Sequence, residues 1–303
     1  MHPVIIILII LAATSTSLSM NAAATSRSRI AVVTGANKGI GFHIAEQLAS
    51  SRQFTDVILG CRDRQRGESA VRDIASKLEL ESSPCTVSYQ QLTTGDKVSH
   101  DAFRSAIESR YGKLDVLVNN AGIAFKGADP TPFSEQCIPT LGVNFWGTVD
   151  FTEEMLPLVR KGTDARIVNV ASMAGNLSQL RSPELQQIFH SANESLTKNQ
   201  LFSLVEKFQL DVLNDRHRQE GWGNSNYGFS KLALIAMTKI WAREEAMNGI
   251  AVNCCCPGYC ATDMSSHRGS RHPSDGAKNA VIPALMDSPP TGKYFSDYAV
   301  SRW

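Results

Sequence analysis

Blocks of positive charge, paired cysteines and clusters of metal-ligating residues are all missing from this chain. Lys and Arg total 30 against 29 Asp and Glu, for a net charge of +1, and no basic block stands out. That balance leaves no electrostatic footprint for nucleic acid. Seven cysteines include three in succession, Cys254–Cys256, but there is no C-x-x-C pair and no His/Cys grouping at zinc spacing. A disulfide framework and a metal site are therefore not expected, and adjacent cysteines on an apolar run read as small packing residues. Hydrophobic residues make up 43% and charged residues 19%, as in ordinary soluble globular proteins. A chain of 303 residues can bury a full core as one large α/β domain or two small ones. No repeat, low-complexity stretch or shift in composition marks a second domain.

One long apolar run is present, at Val4–Ala13, followed by small polar residues and Ala22–Ala24. Its length suits the core of a secretory signal and is short for a membrane span, although His2 is the only basic group before it. Residues 1–24 are read as a signal peptide, with an uncleaved membrane-contacting anchor or translation from Met20 as the alternatives. The corresponding locations are the secretory pathway or outside the cell, and the cytoplasm for a start at Met20. The sequons Asn176-Leu-Ser178 and Asn193-Glu-Ser195 matter only in the first case.

The apolar run Arg29–Val33 leads into Thr34-Gly35-Ala-Asn37-Lys38-Gly39-Ile40-Gly41, and Phe42–Ser51 carries helical spacing. Strand, glycine turn and helix in that order form a dinucleotide-binding context. Gly35 permits the tight turn, while Gly39 and Gly41 bring backbone and helix N-terminus toward a pyrophosphate. Val57–Cys61 reads as a second strand, ended by Arg62. An acid at that place recognises a ribose 2′-hydroxyl, whereas a cation accommodates a 2′-phosphate. Arg62 together with Lys38 argues for NADP(H).

Helix Gln65–Leu78, strand Thr86–Leu92, helix Asp101–Tyr111 and strand Leu114–Val118 follow, the last closed by Asn119-Asn120-Ala121-Gly122. Helix Thr140–Arg160 carries Asn144, and strand Arg166–Ala171 ends at Ser172. The alternation predicts an α/β fold, a single-domain doubly wound parallel sheet of about seven strands, with ligands at the strands' carboxyl ends. The segment between Ser172 and Tyr227 reads as a helical insertion, about 176–224, with helices at Pro183–Phe189 and Leu196–Leu213. A long helix Tyr227–Met247, strand Ile250–Cys256 ended by Pro257-Gly258, helix Ser274–Met286 and a last strand Gly292–Ser296 complete the domain, residues 28–303.

Tyr227 and Lys231 lie at i and i+4, on one helical face. An ammonium beside a phenol favours the phenolate, so the tyrosine's pKa is expected to fall from about 10 toward the working pH. Such a tyrosine gives a proton to a carbonyl oxygen or takes one from an alcohol.

Together, Thr34-Gly35-x3-Gly39-x-Gly41, Asn119–Gly122, Asn144, Ser172, Tyr227-x3-Lys231 and Pro257-Gly258 resemble the short-chain dehydrogenase/reductase family, over essentially the whole chain from Ile30. The chain is most similar to the monomeric NADPH-dependent carbonyl reductases. That likeness rests on Asn37–Gly41, Gly122–Lys126, Asp129–Phe133, Ser182–Gln187, Glu220–Trp222 and Cys255–Gly258. The resemblance implies a Rossmann-like fold, a monomer, and Tyr227 as acid/base. Lys231 would lower its pKa and hold the nicotinamide ribose, Ser172 would bond the substrate carbonyl, and Asn144 would hold a proton-relaying water. Phe125, Lys126 and Gln136 would border the substrate. Leu92, Thr93, Asn120, Pro257, Gly258, Cys260–Thr262 and the glycine loop would touch the cofactor.

Three positions depart from that pattern. Thr93 stands where relatives carry an Asp that meets the adenine, which removes a charge-assisted bond. Tyr259 replaces tryptophan and Ala261 replaces arginine, so the pocket wall is smaller or more polar. The expected function is NADPH-dependent reduction of ketones, aldehydes and quinones. Two alternatives are an NADP-dependent dehydrogenase oxidising a steroid or prostanoid hydroxyl, and a non-catalytic nucleotide-binding module.

Overall fold

The computed structural model describes residues 28–303, and the readings of residues 1–24 lie outside it. Alternating strands and helices follow one another from β1 (Ile30–Thr34) and α1 (Gly39–Ser50) to β2 (Asp56–Cys61) and α2 (Arg64–Leu80). β3 (Thr86–Gln91), α3 (Lys97–Tyr111), β4 (Val116–Asn119), α4 (Phe133–Leu141), α5 (Thr148–Val159) and β5 (Arg166–Val170) continue the pattern. The insertion holds α6 (Pro183–His190) and α7 (Lys198–Leu213), and α8 (Asn226–Glu244), β6 (Ala251–Cys255), α9 (Pro273–Leu285), β7 (Tyr294–Ser296) and β8 (Ala299–Ser301) close the chain.

These strands form one sheet in the order β3-β2-β1-β4-β5-β6-β7-β8. All pairs are parallel except β7 with β8. The order reverses beside β1, so the β1 and β4 carboxyl ends flank a crevice of the kind that takes ligands. Strands buried on both faces are apolar throughout, and β1 illustrates the division. Ile30 and Val32 join the core layer that includes Phe103, Phe151 and Phe229, while Ala31 and Val33 join the layer under α1, α2 and α9.

Eight strands replace the expected seven. The extra one, β8, is three exposed residues with no apolar run to announce it, and it turns back through Asp297 and Tyr298, both at positive φ. The expected helix Thr140–Arg160 is also divided, because residues Gly142–Gly147 form a π-helical turn between α4 and α5. A tertiary contact accompanies the turn: a Cβ on Gly147 would lie 2.6 Å from the Gly95 nitrogen, so two backbones meet there. α3 begins four residues earlier than expected, since the Asp96 carboxylate caps it by accepting from the Val98 and Ser99 N–H groups. Among the described residues, no helix is long and apolar enough to cross a membrane and no cluster of three acidic, Cys or His residues could hold a metal.

The insertion folds back onto α8. Phe208 of α7 stacks on Phe229 of α8 at 3.7 Å between ring centres, with Trp222 edge-on to both. The Trp222 indole N–H donates to Asp211 at 2.8 Å, and Lys207 neutralises that buried carboxylate at 2.7 Å.

Candidate active site

The glycine loop lies at the carboxyl end of β1. Gly35 has φ +64°, and a Cβ there would sit 2.9 Å from Ala121 Cα. Gly41 is equally confined: a Cβ there would lie 2.4 Å from Asn120 Nδ2, so internal packing by itself already requires a glycine. Asn120 is spent on the same job: its amide donates to the Thr34 and Gly35 carbonyls at 2.9 and 3.2 Å. Gly39, at φ +58°, is the residue that opens toward space, with Thr262 Cγ2 as its nearest neighbour at 3.4 Å. α1 starts here without a side-chain cap and without an acidic residue in its first turn. Free N–H groups and the positive end of the helix dipole thus face the crevice, and they suit a diphosphate. Asn37, Lys38 and Ile40 line this turn.

Arg62 is exposed at the end of β2 and makes no side-chain ion pair among the described residues. The neighbouring Asp63 is occupied as the cap of α2, accepting the Arg66 N–H at 2.9 Å. Lys38 points across the crevice to Asp263 at 2.5 Å, on the loop after β6. Thr262 precedes Asp263 and roofs Gly39. At the far strand, Leu92 is 3% exposed and belongs to the core, while the Thr93 N–H bonds Ser99 Oγ at 2.8 Å. Asp96, further along, is the α3 cap.

Ser172, Tyr227, Lys231 and Asn144 converge beyond β5. Ser172 caps a short 3₁₀ turn, Met173–Gly175, and its Oγ accepts the Ala174 N–H at 3.1 Å. Ser225 caps α8 by accepting the Gly228 N–H at 2.8 Å, which sets Tyr227 on the first turn. Lys231 is 4% exposed; its ammonium donates to the Val170 carbonyl at 2.8 Å and lies 5.8 Å from the centre of the Tyr227 ring. Asn144 is fully buried in the π turn. Its Oδ1 accepts the Ile123 N–H at 2.8 Å, and its Nδ2 donates to the Ile123 carbonyl at 2.9 Å and to Ser230 Oγ at 3.1 Å. Its side chain thereby holds the Gly122–Ile123 backbone next to Lys231: a Cβ on Gly122 would be 3.5 Å from Nζ.

The expected fall in the tyrosine's pKa is corrected by this geometry. Burial raises the Tyr227 phenol above its ordinary value, and the nearby Ser172 hydroxyl only partly opposes that. Burial also lowers Lys231 to about 8, because no carboxylate compensates its charge. Desolvation is the largest influence on the phenol.

Of the expected substrate-side residues, Phe125 is half-buried and Lys126 exposed, while the Gln136 amide donates to the Thr131 carbonyl at 2.7 Å. Pro257 is buried and Gly258 adopts φ +81°. Two residues under this turn were not assigned from sequence. Cys256 Sγ accepts the Met173 and Gly258 N–H groups at 3.1 and 3.3 Å, tying the Ser172 turn to the Pro-Gly turn. Arg271 donates to the Pro257 carbonyl at 3.1 Å and pairs with Asp297 at 2.6 Å. A run of cysteines signals packing, and nothing local to Arg271 signals its partner fourteen residues back. A cavity of about 620 Å³ lies elsewhere, in the insertion between Ile188, Leu196 and Leu204, and contains none of the four converging residues.

A profile of the short chain dehydrogenase family matches residues 29–183 and 216–272, leaving out most of the insertion. The chain is 42% identical over 283 residues to carbonyl reductase [NADPH] 1 of Bos taurus, covering 90% of this chain and 98% of that one. With the Homo sapiens protein of the same name it shares 41% over 283 residues, again 90% and 98% of the two chains. Among solved structures, salutaridine reductase from Papaver somniferum superposes with a TM-score of 0.78 at 29% identity, over 88% of this chain and 99% of that one. An NADPH-bound carbonyl reductase from chicken fatty liver gives 0.65 at 21% identity, over 91% and 95%, and supports the fold alone. From Arg29 onward, with the glycine loop, the paired Tyr227 and Lys231 and Ser172 in their places, the chain belongs to the short-chain dehydrogenase family.

Proposed function

We propose that this protein is an NADPH-dependent carbonyl reductase acting on ketones, aldehydes and quinones as a monomer. The observation that carries the reading is the convergence of Ser172, Tyr227 and Lys231 beside an uncapped, acid-free helix N-terminus. Relatives at 40–42% identity that are named carbonyl reductase [NADPH] support it. Arg62, free of any side-chain ion pair among the described residues, would hold the 2′-phosphate, and the α1 N-terminus the diphosphate. NADPH supplies the hydride when bound.

The protein's own residues supply the rest. Ser172 Oγ accepts from Ala174 and lies beside the Tyr227 phenol, so its own proton would be shared between the phenol and the substrate oxygen. The raised Tyr227 phenol stays protonated at neutral pH and is thus a donor in the reductive direction. As its proton leaves, the Lys231 ammonium faces the forming phenolate, a charge stabilised where it appears. Asn144 keeps the Gly122–Ile123 backbone in register with Lys231.

The test is NADPH oxidation across a panel of carbonyl compounds, with NADH as the alternative reductant. Tyr227→Phe is expected to lower kcat by about 10²–10⁴-fold with NADPH binding retained. Turnover at the wild-type rate in that variant would overturn the role given to the phenol. The apolar segment Val4–Ala13 keeps its reading as a secretory signal, with a start at Met20 as the alternative; N-terminal sequencing of the expressed protein decides between them.

A further inference from the structure

The contacts of Trp303 lead to the Ser172 turn. Its indole N–H donates to the Gly175 carbonyl at 2.8 Å. Gly175 closes the turn that Ser172 caps, with the Gly175 N–H on the Ser172 carbonyl at 2.9 Å. On its other side Gly175 is pressed against α8: a Cβ there would be 2.7 Å from the Lys231 carbonyl carbon and 2.8 Å from the Leu232 nitrogen. The turn is therefore held between the catalytic helix and an indole.

The face of that indole is fixed as well. The Lys239 ammonium lies 5.2 Å from the centre of the Trp303 ring. Lys239 is 8% exposed, and its other partners are neutral oxygens, Asn193 Oδ1 at 3.0 Å and the Gly292 carbonyl at 3.3 Å. No carboxylate within ion-pair distance serves it among the described residues. A desolvated ammonium without an anion gains most from the negative face of an aromatic ring. The ring edges also pack against the small cluster of Ala171, Ile235, Cys256 and Tyr294, which joins the end of β5 to α8.

We propose that Trp303 is a positioning residue for the reaction: held by Lys239, it fixes the Ser172 turn against α8 through Gly175 and so sets the Ser172 hydroxyl relative to Tyr227. The proposal rests on the reading of Ser172 and Tyr227 given above. A hydroxyl misplaced by a fraction of an ångström loses its bond to the substrate oxygen, which lowers the rate of the chemical step more than cofactor binding.

Trp303→Phe keeps a ring over Lys239 and removes the donor, whereas Trp303→Gln offers an N–H donor and removes the ring. For Trp303→Phe, kcat for a carbonyl substrate is expected to fall about tenfold, the loss of one hydrogen bond in the transition state. NADPH affinity is expected within about twofold of wild type; Tm is expected to fall by a few degrees, because the Gly175 carbonyl loses its donor, but by less than in Trp303→Gln, since the packed ring remains. Trp303→Gln is expected to lose Tm and to keep more of kcat than the Phe variant at a temperature where both are folded. Wild-type kcat in Trp303→Phe, or a loss of kcat that follows Tm across both variants, would overturn the proposal. Hydrogen exchange of the 172–177 amides is the readout independent of turnover. Faster exchange in Trp303→Phe supports the clamp even if wild type reduces none of the carbonyls, the outcome that refutes the proposed activity instead; unchanged exchange overturns the clamp.

Discussion

A lysine buried without a carboxylate destabilises the fold that contains it, and Lys231 is such a residue. Among the described residues its one hydrogen-bond partner is the Val170 carbonyl, and burial lowers its pKa to about 8. In the unfolded chain the amine keeps its ordinary value, 10.5. Between those values the unfolded state binds the extra proton, so the Lys231 contribution to stability rises with pH from about 8 to 10.5 and is at its most unfavourable below 8. The difference amounts to a penalty on the order of 3 kcal/mol at neutral pH. Lys231→Met is accordingly expected to raise Tm near pH 7, by roughly 3 °C for each kcal/mol recovered, while abolishing reduction. The gain should shrink as pH rises through the 8–10.5 window. Thermal melts of both proteins from neutral to alkaline pH check this, and a variant less stable than wild type at pH 7 contradicts it. The pairing of Tyr227 with Lys231 is legible in the sequence, because i and i+4 share a helical face whatever surrounds them. The direction of the tyrosine's shift is not legible, since burial is set by chain segments far from both.

At the scale of elements, the π turn Gly142–Gly147 lets one asparagine join three parts of the chain. Within that turn Asn144 reaches both Ile123 and Ser230, and Gly147 backs closely onto Gly95. Asn144→Ala leaves the Ile123 N–H and C=O without their partner, at a cost of about 1–3 kcal/mol for each group that water does not reach. Its Tm is expected to fall by several degrees, and Asn144→Asp is expected to fall as well, because its carboxylate still accepts the Ile123 N–H but sets a second oxygen against the Ile123 carbonyl and Ser230 Oγ. Equal melting of Asn144→Ala and wild type would show the turn to be held by Gly95 and Gly147 alone. The regular helices and the parallel strands were readable because period and composition are local signals. The π turn was not, because the close contact found there, Gly147 on Gly95, joins residues 52 positions apart. Exposed β8 has no apolar pattern to read.

For the molecule as a whole, the insertion decides what surface is left for a partner. A helix that is apolar on every side must be buried on every side. In α8 every residue from Gly228 to Ala242 is buried, against the sheet at β6, against α4 and the π turn, and against α7 of the insertion. α5 is covered in turn: Glu153 accepts from Lys198 of α7 and from the Trp241 indole of α8, at 2.7 and 2.8 Å. Neither helix presents a free apolar face to a second copy. The open strand β8 is three residues long, too short to build an interface of the size that stable dimers need. Sedimentation velocity at micromolar concentration is therefore expected to show one species with the mass of a single chain, unchanged on dilution. A dimer under those conditions would mean that some other surface is the interface, and that the insertion's contacts with α8 serve only to hold the catalytic helix.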